Sequence, residues 1–177
     1  MKIITPDREQ LARFHAGIYL DAFAAHREPL ESWLSPRGYA FHARLVLDGD
    51  DIVGGITYEL YPKSRCGLVT YMVVAPRARG RGLGRMLFMS AARELYAAGA
   101  KLVLGEVHRS APERLARFDR WGARVVDVAY VQPSLGPGLE RDDGLCLIVL
   151  PPVPRVVEEG VVKAFIAELY EVTEGAP

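Results

Sequence analysis

Cysteine is nearly absent from this chain: Cys66 and Cys146 stand alone among 177 residues. Both sit in apolar stretches with neither a second pair nor metal-ligand spacing, so buried, reduced thiols are expected. The four histidines, His15, His26, His42 and His108, are scattered, and with no Cys/His/acid pattern no metal is expected. Surplus charge is missing too. Lys plus Arg and Asp plus Glu both number 22, whereas a general polyanion binder carries an excess of positive charge, so nucleic acid is not expected as a partner. No apolar run approaches the roughly 20 residues of a membrane helix, and no basic-then-apolar leader opens the chain. A cytoplasmic protein without a membrane partner is expected. What the chain does have is apolar content: half its residues are hydrophobic, enough to bury one good core.

The stretch from Tyr71 to Leu95, YMVVAPRARGRGLGRMLFMSAAREL, carries the strongest functional signal. A β-branched strand end stops at Pro76, which has no N–H to give a sheet. Gly80, Gly82 and Gly84 then thin the side chains of a short loop, and an amphipathic helix begins. Backbone N–H groups and the positive helix end face one small space there, which makes an anion cradle. Arg77, Arg79, Arg81 and Arg85 surround it, and guanidinium groups suit bidentate phosphate contacts. Two phosphate loops fail against these residues. The NTPase loop needs Lys followed by Ser or Thr after the last glycine, and the dinucleotide fingerprint meets Arg85 at its third glycine.

What does fit is Arg79-x-x-Gly82-x-Gly84. With its flanking strand, "V-x-P" and helix, it resembles the R/Q-x-x-G-x-G/A signature of the GNAT superfamily of acyl-CoA-dependent N-acyltransferases. The resemblance implies acetyl-CoA as co-substrate, its pyrophosphate held by Arg79, Gly80, Arg81, Gly82, Leu83, Gly84 and Arg85. It also implies that backbone groups of Met72, Val73 and Val74 pair with the pantetheine amides.

Elsewhere the pattern is read in order. Thr5-Pro6-Asp7 predicts a helix start with Thr5 as cap, and Leu11, Phe14, Ile18 and Ala22 carry that helix to about Phe23. A second helical piece is expected from Pro29 through Trp33. Alternation predicts strands over Ala40–Leu47, Ile52–Leu60 and Gly67–Val74, with a hairpin turn at residues 48–51. After the helix of Leu83, Leu87, Ala91 and Leu95, a compact strand over 101–107 implies a right-handed crossover and a parallel pair. Ser110-Ala111-Pro112-Glu113 reads as a capping box, and Ala123–Val131 and Leu145–Leu150 as further strands.

The fold class expected is therefore α/β of the α+β type: a GNAT-like mixed, mostly antiparallel sheet of six or seven strands with a splayed parallel pair, flanked by helices. Residues 1–150 are expected to form that acyltransferase domain. Residues 151–177, with Val157, Val161, Phe165 and Leu169 at helical spacing, are expected as a linker and extra helix that packs on the same domain or on the partner of a homodimer.

The resemblance implies transfer of an acetyl group to a primary amine of a small molecule or peptide. The amine must lose a proton, so a base is needed. Glu59 and Glu106 are the candidates, because an acidic residue inside an apolar strand costs desolvation unless it has a role or a partner. Glu106 shares a strand face with His108. The resemblance also implies that the segment between the first two helices, with Phe23, His26, Glu28 and Trp33, walls the acceptor pocket; the alternative is an ordinary helix–helix connection. One departure stands out: the usual acid Tyr of the family falls on Phe118, counting back from Gly122. Water, Tyr71 or Tyr130 is left to protonate the leaving thiolate, and the alternative reading is an acyl-CoA-binding sensor or structural module with little or no turnover.

Overall fold

The computed structural model describes residues 1–23, 28–136 and 138–175. Seven strands form one sheet: β1 (Lys2–Ile4), β2 (Ala40–Asp48), β3 (Asp51–Tyr61), β4 (Cys66–Val74), β5 (Leu102–His108), β6 (Arg124–Val125) and β7 (Leu145–Val149), in the order β1-β2-β3-β4-β5-β7-β6. Only β4 and β5 run parallel. That is the mixed sheet expected.

Helices cover both faces. Helix α4 (Leu83–Ala97) and α5 (Pro112–Arg120) lie on one, where Leu87, Phe88, Ala91 and Leu95 bury against Val46, Ile56, Val103 and Ile148. The approach is close: a Cβ on Gly67 would lie 2.6 Å from Leu95. On the other face α1 (Arg8–Phe14), α2 (Leu20–Ala22) and α3 (Leu30–Leu34) cover β2 and the end of β4. Helix α6 (Glu159–Glu174) covers β4, β5 and β7 through Val162, Phe165 and Leu169. Strand β3 lies under helices on both sides, and its core residues are buried without alternation for that reason.

Three local expectations are corrected. The first helix is capped by Asp7, not Thr5: Oδ1 of Asp7 accepts from the Gln10 N–H at 2.8 Å while Oε1 of Gln10 accepts from the Asp7 N–H at 3.0 Å. A cap with a reciprocal partner three residues on satisfies two orphan donors, which Thr5 cannot do here. Between α1 and α2 the helix also widens into a π-helical turn, His15–Tyr19. The proposed box at residues 110–113 has no side-chain cap bond, and α5 starts from Ala111 with Pro112 in its first turn. Finally, β6 is two residues long, not nine. Val126, Val128 and Tyr130 are apolar because they pack in the cluster under α6, so their pattern marks a covered loop rather than a longer strand. No helix among the described residues is long and apolar enough to cross a membrane.

Candidate active site

The site begins with a sheet that comes apart. Strands β4 and β5 pair from Cys66↔Leu102 to Val69↔Gly105 and no further. The next residue, Thr70, is the extra one of a bulge against β3: Tyr58 faces Val69 and Thr57 faces Tyr71. A bulge bends its strand and increases twist, and β4 leaves β5 there. Strand β7 meanwhile stays with β5 as far as His108↔Leu145, so the gap opens between β4 and β5 alone. One cavity of about 980 Å³ passes through that gap.

At its α4 end lies the loop. The Nε of Arg79 donates to the Val74 carbonyl at 3.1 Å. Gly82 caps α4 with φ +76, a left-handed conformation that favours glycine, and a Cβ there would meet nothing within 4 Å. Space beside the start of α4 is thus open at Gly80 and Gly82. Arg79, Gly80, Gly82, Leu83, Gly84 and Arg85 line the cavity, as do Met72, Val73 and Val74. Gly84 also serves packing: a Cβ would lie 3.3 Å from the Trp121 ring. Arg81 does not line the cavity. Its guanidinium meets Asp48 at 3.3 Å, and Arg77 meets Asp51 at 3.1 Å, so these two cations serve the β2–β3 turn. Opposite the loop, Phe118 stacks on Phe88 with ring centroids 5.2 Å apart and offers no donor.

On the other face of the sheet the same cavity reaches Glu59, Glu106 and Glu28. Glu59 is buried, and Oε2 accepts from the Tyr61 hydroxyl at 2.7 Å. Burial pushes its carboxyl up to about 8; the Tyr61 hydroxyl opposes that, and the charges of Glu28 and Glu106 add to it. Glu106 sits just past the last β4–β5 pair. Its oxygens accept from the Tyr130 hydroxyl and, at 2.9 Å, from Gln132 Nε2. Burial raises its pKa too, against those two bonds. Glu28 is raised by burial, with the Trp33 indole donating to it at 2.9 Å. His108 also lines the cavity, with Nε2 3.3 Å from Asp142.

Both strand carboxylates singled out in the sequence line this cavity, and so does Glu28, which was expected only as one residue of a wall. Its signal was weak: an acid in a loop five residues before a Trp. Tyr39 was missed altogether; its ring lies tilted against that of Tyr61, centroids 5.5 Å apart, and it lines the cavity. Phe23 and Glu28 wall the chamber, Trp33 is buried behind them, and His26 lies outside the described residues. Of the two tyrosines considered as acid, Tyr71 lines the cavity and Tyr130 is engaged with Glu106. Among the described residues no group of three or more His, Cys, Asp or Glu is arranged to hold a metal ion.

A seven-stranded mixed sheet that opens beside a bulge, with a glycine-capped helix at the opening, has the fold of GNAT acetyltransferases. The sequence model described as "Acetyltransferase (GNAT) family" matches residues 8–122, and the chain belongs to that family. It is 32% identical over 108 residues to a mycothiol acetyltransferase of Rhodococcus jostii (strain RHA1), a match covering 58% of this chain and 35% of that protein. The match therefore spans about a third of the relative's length. Among solved structures, a putative acetyltransferase from the GNAT family of Bacteroides thetaiotaomicron superposes with a TM-score of 0.71 at 17% identity, covering 100% of both chains. A putative acetyltransferase from Salmonella typhimurium, solved with its cofactor acetyl-CoA, gives 0.65 at 16% identity over 90% of this chain and 98% of that one.

Proposed function

We propose that the protein transfers an acetyl group from acetyl-CoA to a primary amine of a small molecule or peptide, by direct attack of the amine with general-base assistance. One observation carries the reading: a single cavity joins an anion cradle on one face of the sheet to buried carboxylates on the other. The residues fit the co-substrate. Arg79 and Arg85 with the glycine-rich backbone at the start of α4 suit a pyrophosphate, and the β5-facing backbone edge of Met72, Val73 and Val74 suits amides laid along it. Acetyl-CoA supplies the activated acyl group; everything else falls to this chain.

An alkylammonium ionises near 10 in water. Moving its proton to a carboxylate of ordinary pKa is uphill by about 8 kcal/mol, but only about 3 kcal/mol to one near 8. Glu59, raised by burial, is therefore a better base for this proton than an exposed acid. Glu106, just past the last β4–β5 pair, is the second candidate for the base, and its charge helps to raise the Glu59 carboxyl. The acid side chains and the ring of Tyr39 also favour a cationic acceptor. A thiolate with a pKa near 8.5 leaves readily, so Phe118 in place of a donor costs little; solvent supplies the final proton, because burial raises the Tyr71 hydroxyl far above its ordinary value.

The second reading, an acyl-CoA-binding module with little turnover, is favoured by Phe118 alone. Calorimetric titration with acetyl-CoA and CoA, followed by an amine screen for released thiol, separates the two. Binding with amine-dependent release supports the transferase; binding without release supports the module. No binding overturns both.

A further inference from the structure

Helix α6 lies beyond the residues matched to the family, 8–122, yet it forms part of the site. Leu169 and Thr173 both line the cavity, and Leu135 and Leu145 line it with them. Leu169 is buried, and the Thr173 hydroxyl donates to the Leu169 carbonyl at 2.7 Å within the helix. Past the carboxylates, the chamber thus meets an apolar wall.

That wall is fixed at two places. Near its middle, the buried carboxylate of Glu168 accepts from the N–H groups of Lys63 at 2.9 Å and Ser64 at 2.7 Å, the turn that follows β3. Near its end, Glu174 accepts from the Ser134 N–H at 2.9 Å and pairs with Arg141, and the Tyr170 hydroxyl donates to the Val131 carbonyl at 2.9 Å. Three residues before Glu168, Phe165 meets the Tyr61 ring edge-on, with centroids 5.4 Å apart, and Tyr61 is the residue that holds Glu59. A helix tied to the hairpin on one side and to the 131–141 loop on the other cannot recede when a longer ligand enters.

We propose that α6 determines acceptor specificity: Leu169 and Thr173 form an apolar stop that sets how long a carbon skeleton fits behind the reacting amine. This rests on the acyltransferase reading. The acceptor class it defines is an amine with a short apolar tail directed away from the thioester.

The test uses n-alkylamines from propylamine to octylamine, titrated calorimetrically into CoA-saturated protein, with CoA affinity measured first. In the wild type, affinity should climb with chain length and then level off or fall. In Leu169→Ala the climb should continue over one or two further methylenes, gaining about fourfold per methylene. Leu169→Met, which conserves volume, should keep the wild-type profile, and equal CoA affinity in all three shows that the cradle is intact. An unchanged length profile in Leu169→Ala overturns the proposal. So does the absence of alkylamine binding in a wild type that binds CoA. Failure to bind CoA at all would instead overturn the acyltransferase reading, and this inference with it.

Discussion

The Tyr61 hydroxyl donates to Glu59, two residues earlier on β3 and on the same face, at 2.7 Å. The bond favours the charged carboxylate while burial and two neighbouring acids disfavour it, and burial wins. Glu59 is thus poised near neutrality, where neither form is scarce.

From this follows a kinetic expectation. Amine acetylation should rise with pH along a limb with an apparent midpoint near 8, and Tyr61→Phe should move that midpoint upward, because the bond that favours the charge is gone. Glu59→Gln should lower kcat by roughly 100-fold to 10,000-fold. A pH–rate profile of kcat/KM for the three proteins checks this; full activity in Glu59→Gln would remove it from the base assignment.

The same group links stability to pH. Its folded-state pKa is raised above the ordinary carboxylate value, so its contribution to stability is complete below about 4.5 and is lost as pH rises through about 8. Urea midpoints should fall between pH 5 and pH 9 in the wild type and fall less in Glu59→Gln. Glu106 and Glu28, raised for the same cause, leave a residual slope.

The arginines divide into two pairs. Arg79→Ala should weaken CoA binding by roughly ten- to a hundredfold, the worth of a charge-assisted bond. Arg81→Ala should change it little, because Arg81 is turned to Asp48. Gly82→Trp should abolish it, through backbone strain at φ +76 and the filling of open space. Calorimetry on the three variants decides, and an Arg81→Ala loss as large as that of Arg79→Ala would place Arg81 in the cradle after all.

Gly55 tests the packing under α1. A Cβ there would lie 2.7 Å from both Phe14 and Leu45, each fully buried. Gly55→Ala should cost about 1–3 kcal/mol by overpacking, read as a lower urea midpoint with unchanged slope.

Much of this was legible in the sequence, and unevenly. The crossover from β4 through α4 to β5 could be read because apolar spacing changes period at Pro76 and again at Gly99. Glu59 and Glu106 could be read because an acid in an apolar strand is costly wherever it occurs. What stayed hidden depended on distant partners. Whether Arg79 or Arg81 faces the cradle is decided by Asp48, 33 residues away. Whether Val126 and Val128 extend a strand is decided by α6. The bulge at Thr70 has no local mark, because it is a mismatch of register between two strands. Tyr39 and Glu28 come from loops and strand edges where no periodicity points inward.

The parting of β4 from β5 has a further meaning. Past Val69, no strand among the described residues pairs with β4 on its β5 side, and that edge of the sheet is open. A ligand that lies along that edge acts as a missing strand and raises the unfolding free energy by mass action, about 2.7 kcal/mol at a hundred times its dissociation constant. Thioester supply would then govern how long each copy of the protein survives as well as how fast it works.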